Sequence, residues 1–195
     1  MTIQRAFSVL VALCAALLVS GCFVVSKHLP AGTGVINDDR LVGNWRGFDT
    51  GSGKEEDAYL HFQKPDPDKP LRLVWVEDSK YLVYEVVTTH IGSKDVFAAK
   101  LIAPQQAKKE RTPHGYFVGF YEVTGNEVVF HLLDAEKISA LITQGKLKGT
   151  PGKKKYDFAT LSGSPVELAR FLSSPEAWTA RAEPARLRRL PQANK

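Results

Sequence analysis

The sequence predicts a mainly β domain: an antiparallel meander that forms a small barrel or sandwich, with one or two helices at its C-terminal side. Three observations carry this expectation. Short runs of alternating apolar residues follow one another from Leu41 to Leu133. Joints of hairpin length separate them. Beyond Asp134 the apolar spacing changes from two residues to three and four. With 195 residues, 44% hydrophobic and 24% charged, the chain has the balance of one globular domain with appendages. A net charge of +5 is too small an excess to argue for nucleic acid, and two cysteines exclude a disulfide framework and a Cys-based zinc site.

The elements follow in order. Arg5 precedes an apolar run from Ala6 to Val19, interrupted only by Ser8 and Cys14, and small residues follow at Ser20 and Gly21. A basic start, a short apolar stretch and small residues describe a secretory signal peptide over 1–21. A membrane-spanning helix needs about 20 apolar residues, more than this run supplies. Pro30, Gly32, Gly34, Asn37 and Asp38 favour turns and flexible chain, so 22–40 is expected as a tether.

A single domain is expected over 41–178. Strands are predicted over Leu41–Phe48, around Ala58, Leu60 and Phe62, and around Leu71, Leu73 and Trp75. Others are predicted over Tyr81–Thr89, Val96–Ile102, Tyr116–Val123 and Val128–Leu133. Pro65 to Pro70 and Asp78-Ser79 read as turns, 104–114 as a loop, and Thr124-Gly125-Asn126-Glu127 as a hairpin connection. Asp134 caps a predicted helix that ends near Gly145. The next ten residues hold Lys146, Lys148, Lys153, Lys154 and Lys155 with Gly149, Pro151 and Gly152, and read as an exposed loop. Tyr156–Leu161 returns to the sheet. Ser164-Pro165-Val166-Glu167 has the residues of a capping box and opens a helix whose apolar face is Leu168, Phe171 and Leu172. Residues 179–195 are expected as a basic flexible tail. The candidate core is Trp45, Leu60, Phe62, Leu73, Trp75, Val83, Phe117, Phe130, Phe171 and Leu172.

Val19-Ser20-Gly21-Cys22 resembles the lipobox of bacterial lipoproteins, with all its parts in the right order. The resemblance implies a diacylglycerol thioether on Cys22, cleavage after Gly21 and anchoring to a membrane through that lipid. Phe23 stands where an Asp would retain such a protein at the inner membrane. The implied location is therefore the outer membrane, facing the periplasm, in a cell that has one. One acyl chain binds a bilayer only marginally, and two or three on one cysteine hold firmly. The Gly43-Asn44-Trp45 segment resembles the Gly-x-Trp start of the first strand in lipocalin-like and avidin-like barrels, where the Trp closes the barrel bottom. The run of strands ending in a Ser-Pro-x-Glu helix is similar to uncharacterised bacterial lipoproteins of lipocalin-like build.

No catalytic constellation stands out. Ser162-Gly163-Ser164 lacks a nucleophile-elbow pattern, and Ser164 has a capping role. Gly51-Ser52-Gly53-Lys54 lacks the spacing of a phosphate loop, and Glu55-Glu56-Asp57 would repel phosphate. The histidines at 28, 61, 90, 114 and 131 have no metal-ligand spacing, so neither a metal nor a cofactor is expected. The expected role is non-enzymatic: an envelope lipoprotein whose β domain binds a small apolar ligand or an envelope protein. Two alternatives stand beside it, a structural or assembly factor and a hydrolase assembled from Glu85, Glu122 or His131. Lys146, Lys148, Lys153, Lys154 and Lys155 are candidates for contact with an anionic surface. The composition leaves the oligomeric state open, and no nucleic-acid partner is expected.

Overall fold

The computed structural model describes residues 23–34, 37–49, 52, 54–77, 80–104, 114–152 and 158–191. Among these residues, eleven strands and three α-helices follow in order. The strands are β1 (Val24–Ser26), β2 (Gly43–Phe48), β3 (Glu55–Gln63), β4 (Leu71–Glu77), β5 (Lys80–Ile91), β6 (Lys94–Pro104), β7 (Tyr116–Thr124), β8 (Glu127–Leu132), β9 (Gly149–Thr150), β10 (Ala159–Leu161) and β11 (Ala185–Arg189). The helices are α1 (Ala135–Thr143), α2 (Pro165–Ser173) and α3 (Pro175–Thr179). Strands β2 to β8 form a meander in sequence order. β6 also pairs with β7, and β11 enters between β8 and β2. The result is a closed antiparallel barrel of eight strands. Between barrel and sandwich, the structure decides for the barrel.

Alternation sorts the side chains. Trp45, Phe62, Leu71, Val86, Tyr121 and Val128 point inward and are almost wholly buried. Gly119 lies opposite Phe97 and Leu132 in the ladder. A Cβ there would stand 2.8 Å from the Phe97 ring and 2.4 Å from the His131 carbonyl, so only glycine admits this packing. Phe130 stacks on Phe62 and meets Phe97 edge-on at 5.3 Å, which fills the middle of the barrel. The opposite faces of β6 and β7 present Val96, Ala98, Val118 and Phe120 to a second core, covered by the helices through Ile138, Leu168, Phe171, Leu172 and Ala177. Each large apolar side chain buried in this way contributes roughly 1.5–3 kcal/mol.

Local chemistry sets the helix ends as expected. Asp134 accepts from the Glu136 and Lys137 amides, and Gly145 adopts a positive φ just past the end of α1. Ser164 and Glu167 form the reciprocal capping box of α2. The β7–β8 turn is the two residues Gly125 and Asn126, with Gly125 at φ 58°.

Four expectations change. The flexible tail of 179–195 contains β11, which pairs with β2 and β8 and closes the barrel. The tether of 22–40 is packed where described: β1 pairs with β7 and β10, and Val24, Val25, Ser26, Asn37 and Asp38 are buried. The loop after α1 contains β9, which pairs with β10. Val83 lies outside the barrel core, and Trp75, Phe117 and Phe130 are only partly buried. Residues 1–22, the turn at 78–79, most of the 104–114 loop, and Lys153, Lys154 and Lys155 lie outside the described residues.

Candidate functional site

The two ends of the barrel differ. At one end a single turn of 3-10 helix, Asp39–Leu41, lies across the opening and seats Leu41 beside Trp45. Trp45 is fully buried, and its Nε1–H donates to the Leu41 carbonyl at 2.7 Å. The guanidinium of Arg189, at the end of β11, stacks 4.1 Å from the centre of the Trp45 ring. The same group donates to the carbonyls of Val42 at 2.6 Å and Arg40 at 2.5 Å. Strands β2 and β11 and the entering turn are thereby locked together. This end is closed.

Beside it lies a polar cluster that no sequence motif announces. Tyr121 donates to Asp38 Oδ2 at 2.7 Å, and Asp38 accepts from Arg40 Nη2 at 2.6 Å. Arg40 continues to Asp95 at 2.7 Å, and Asp95 meets His90 Nδ1 at 2.7 Å. The Asp38 amide donates to Thr88 at 3.0 Å. These residues line a cleft of about 250 Å³. Burial pushes the Asp38 carboxyl up, but the hydrogen bonds from Arg40 and Tyr121 outweigh it and hold the group below the ordinary carboxylate range. Burial and the Asp38 carboxylate push the Tyr121 phenol far up. Arg40 bridges two carboxylates, so the cluster works as a latch that fastens residues 38–40 to the barrel. Its residues were hidden from sequence reading because they fall in a supposed tether and three separate strands. Only the Asp38-Asp39-Arg40 run next to Trp45 could have signalled them.

The latch makes a prediction. Tyr121→Phe should lose about 2 kcal/mol of stability, the usual size of a hydrogen bond to a charged partner. A carboxyl whose folded pKa is lowered contributes stability that is complete above its unfolded value, about 4, and is lost as pH falls through the folded value. Urea unfolding should therefore weaken on the acid side, and Asp38→Asn should be less stable at pH 7 with a flatter decline below pH 4. An unchanged midpoint in Tyr121→Phe would show that the bond contributes nothing.

The other end is less fully covered among the described residues. Inward-facing Trp75, Tyr84, Leu101, Phe117 and Leu132 form the last layer, and all are only partly buried. Phe117 meets Tyr84 at 6.1 Å, Phe23 at 5.5 Å and Phe158 at 6.4 Å, all edge-on. Burial raises the Tyr84 phenol to about 12. Trp75 Nε1 is buried and has no hydrogen-bond partner among the described residues. A buried unpaired donor costs about 1–3 kcal/mol, so a carbonyl, hydroxyl or water brought there would be held. This end is thus lined by partly accessible aromatic side chains, with an unpaired indole N–H beneath them.

The remaining candidates scatter. Glu85 is exposed on the outer face of β5, paired in register with Arg72 and Lys100. Glu122 and His131 do meet, at 3.6 Å, on the outer face of β7 and β8. His131 packs on Trp178 and lies 3.2 Å from Arg181; burial and Arg181 push its pKa down. Among the described residues no group of His, Cys, Asp or Glu is placed to hold a metal ion. Lys146 and Lys148 are exposed on the rim of a groove of about 650 Å³ between the end of α1 and α2, and Lys148 is paired with Glu167 at 2.7 Å. No protein-family model, curated protein or solved structure matches this chain.

Proposed function

We propose that the chain is a lipid-anchored envelope protein whose barrel holds the end of an apolar, chain-like ligand in its open mouth without catalysing a reaction. The observation that carries the reading is the contrast between the two ends. Inward-facing aromatic side chains are sealed at the Trp45 end and partly accessible at the Trp75 end. Apolar lining with one placed polar group is the usual make-up of a small-molecule site. Here the polar group is the unpartnered Trp75 Nε1. The filled middle layer of Phe62, Phe97 and Phe130 limits entry to the tip of the ligand. The anchor is the diacylglycerol thioether that the lipobox resemblance implies for Cys22.

Cis-parinaric acid tests the mouth, because bound polyene quenches tryptophan emission. Saturable binding at one site per chain is expected, with quenching largely lost in Trp75→Phe. Ala185 pairs with Phe130 at the start of β11 and shares the inward face of Leu187. Ala185→Trp should fill the mouth and weaken binding at least about tenfold, equivalent to about 1.4 kcal/mol. Equal affinity in Ala185→Trp would place the ligand elsewhere and end this reading. For the anchor, radiolabelled fatty acid should enter the wild type and not Cys22→Ala.

A further inference from the structure

We infer that the open end of the barrel faces the bilayer that holds the Cys22 lipid, with an apolar rim seated among the headgroups on the far side of the mouth from the anchor. The inference rests on the lipid-anchor reading and extends it to the orientation of the folded domain.

Two observations place the contact. The first is where the preceding chain joins. Cys22 is one peptide link, about 3.8 Å between Cα atoms, from Phe23. Phe23 lies at the mouth, with its ring against Phe117 and its carbonyl accepting from the Ala159 amide at 3.2 Å. The pairing of Val25 with Phe117 fixes this corner to the first residues of β7. A lipid on Cys22 therefore brings the membrane to the mouth and not to the Trp45 end. No long spacer intervenes, because β1 is built into the sheet.

The second is the rim. Tyr59, Val76, Tyr81 and Ile102 are the large apolar residues of the barrel strands most exposed to solvent, at 37%, 39%, 43% and 48%. Tyr59 pairs with Val76, and Val76 with Tyr81, so three of them form one cross-strand row on the outer face. Ile102 stands near the end of β6, on the same side of the mouth. An exposed apolar group of this kind marks an interaction surface, and tyrosine is favoured at membrane–water interfaces. The row lies on β3 to β5, whereas the anchor joins beside β7. Anchor and row bracket the opening, and both reach one plane only when the mouth faces it. The lipid also raises the local concentration of bilayer at the rim, so a weak apolar contact suffices.

Spin labels on the full lipidated chain, reconstituted in phosphatidylethanolamine–phosphatidylglycerol vesicles, test the orientation. With Cys22 alkylated and Cys14 removed with the leader, an introduced cysteine is the single free thiol. Tyr81→Cys and Ile102→Cys report the rim. Asn126→Cys, in the β7–β8 turn, reports the closed end. Collision with oxygen relative to a water-soluble nickel chelate should be several-fold higher at 81 and 102 than at 126. Equal, water-like ratios at all three positions on protein that carries fatty-acid label would overturn the orientation and leave the anchor intact. Absence of label from Cys22 would overturn the anchor and the orientation together. Parinarate binding to detergent-solubilised protein reads the mouth independently of both.

Discussion

A chain ending at Pro184 should fail to fold, although it keeps every strand that the hydrophobic alternation of the sequence reveals. The deleted residues include β11, which makes three register pairs with β2 and four with β8. Without it the barrel has two open edges, each a row of unpaired amides and carbonyls, and such edges template aggregation. The loss also removes buried Leu187 and the Arg189 guanidinium from the face of Trp45. The expected outcome is insoluble protein, or a soluble fraction with no cooperative urea transition. Solubility and an unfolding midpoint equal to the full chain would show that β11 is dispensable, and that closure contributes little to stability.

Trp45→Ala should have the next largest effect. The side chain is fully buried where β2, β11 and the 3-10 turn meet. Truncating a buried aromatic costs about 3–5 kcal/mol through lost transfer energy and the cavity left behind. The Leu41 carbonyl and the Arg189 guanidinium would lose their partner as well. Against a typical total of about 5–15 kcal/mol, that removes a large share of the stability margin. Trp45→Phe keeps most of the apolar volume and removes the donor, so it should lose clearly less, about 1–3 kcal/mol. Equilibrium urea unfolding of the two variants separates packing from the hydrogen bond. Equal losses would mean that the Nε1–H bond is the whole contribution of this residue.

The helices and hairpins were legible because their signals are local. A Ser-Pro-x-Glu run satisfies free amides within one turn, and Gly125 reverses the chain wherever a two-residue turn of positive φ is needed. The alternation in β3 and β4 was legible for the same reason, since neighbouring side chains must point to opposite faces. Alternation does not say which face is inside when both are covered. The outward face of β6 and β7 also carries apolar residues, Val96, Ala98, Val118 and Phe120, because the helices pack on them. Val83, on β5, alternates as a core residue would and yet lies outside the barrel core, while neighbouring Tyr84 packs against it.

What the sequence determined by itself is a mainly β chain, the helix caps, the turn residues and the burial of Trp45. What only the tertiary structure decided is the role of two segments that look unstructured in isolation. Among residues 37–41 only Leu41 is apolar, and Asp38 and Arg40 are held by bonds to Thr88, Asp95 and Tyr121, some 50 to 80 residues away. Residues 185–189 alternate one leucine with arginines, too weak a pattern to mark a strand, and they become one because two unpaired edges stand ready on either side. The same holds for the mouth. Trp75 and Phe117 read as ordinary core, and what sets them apart is their layer in the barrel. Depth along the barrel axis depends on the register of all eight strands at once, and no local stretch of sequence encodes it.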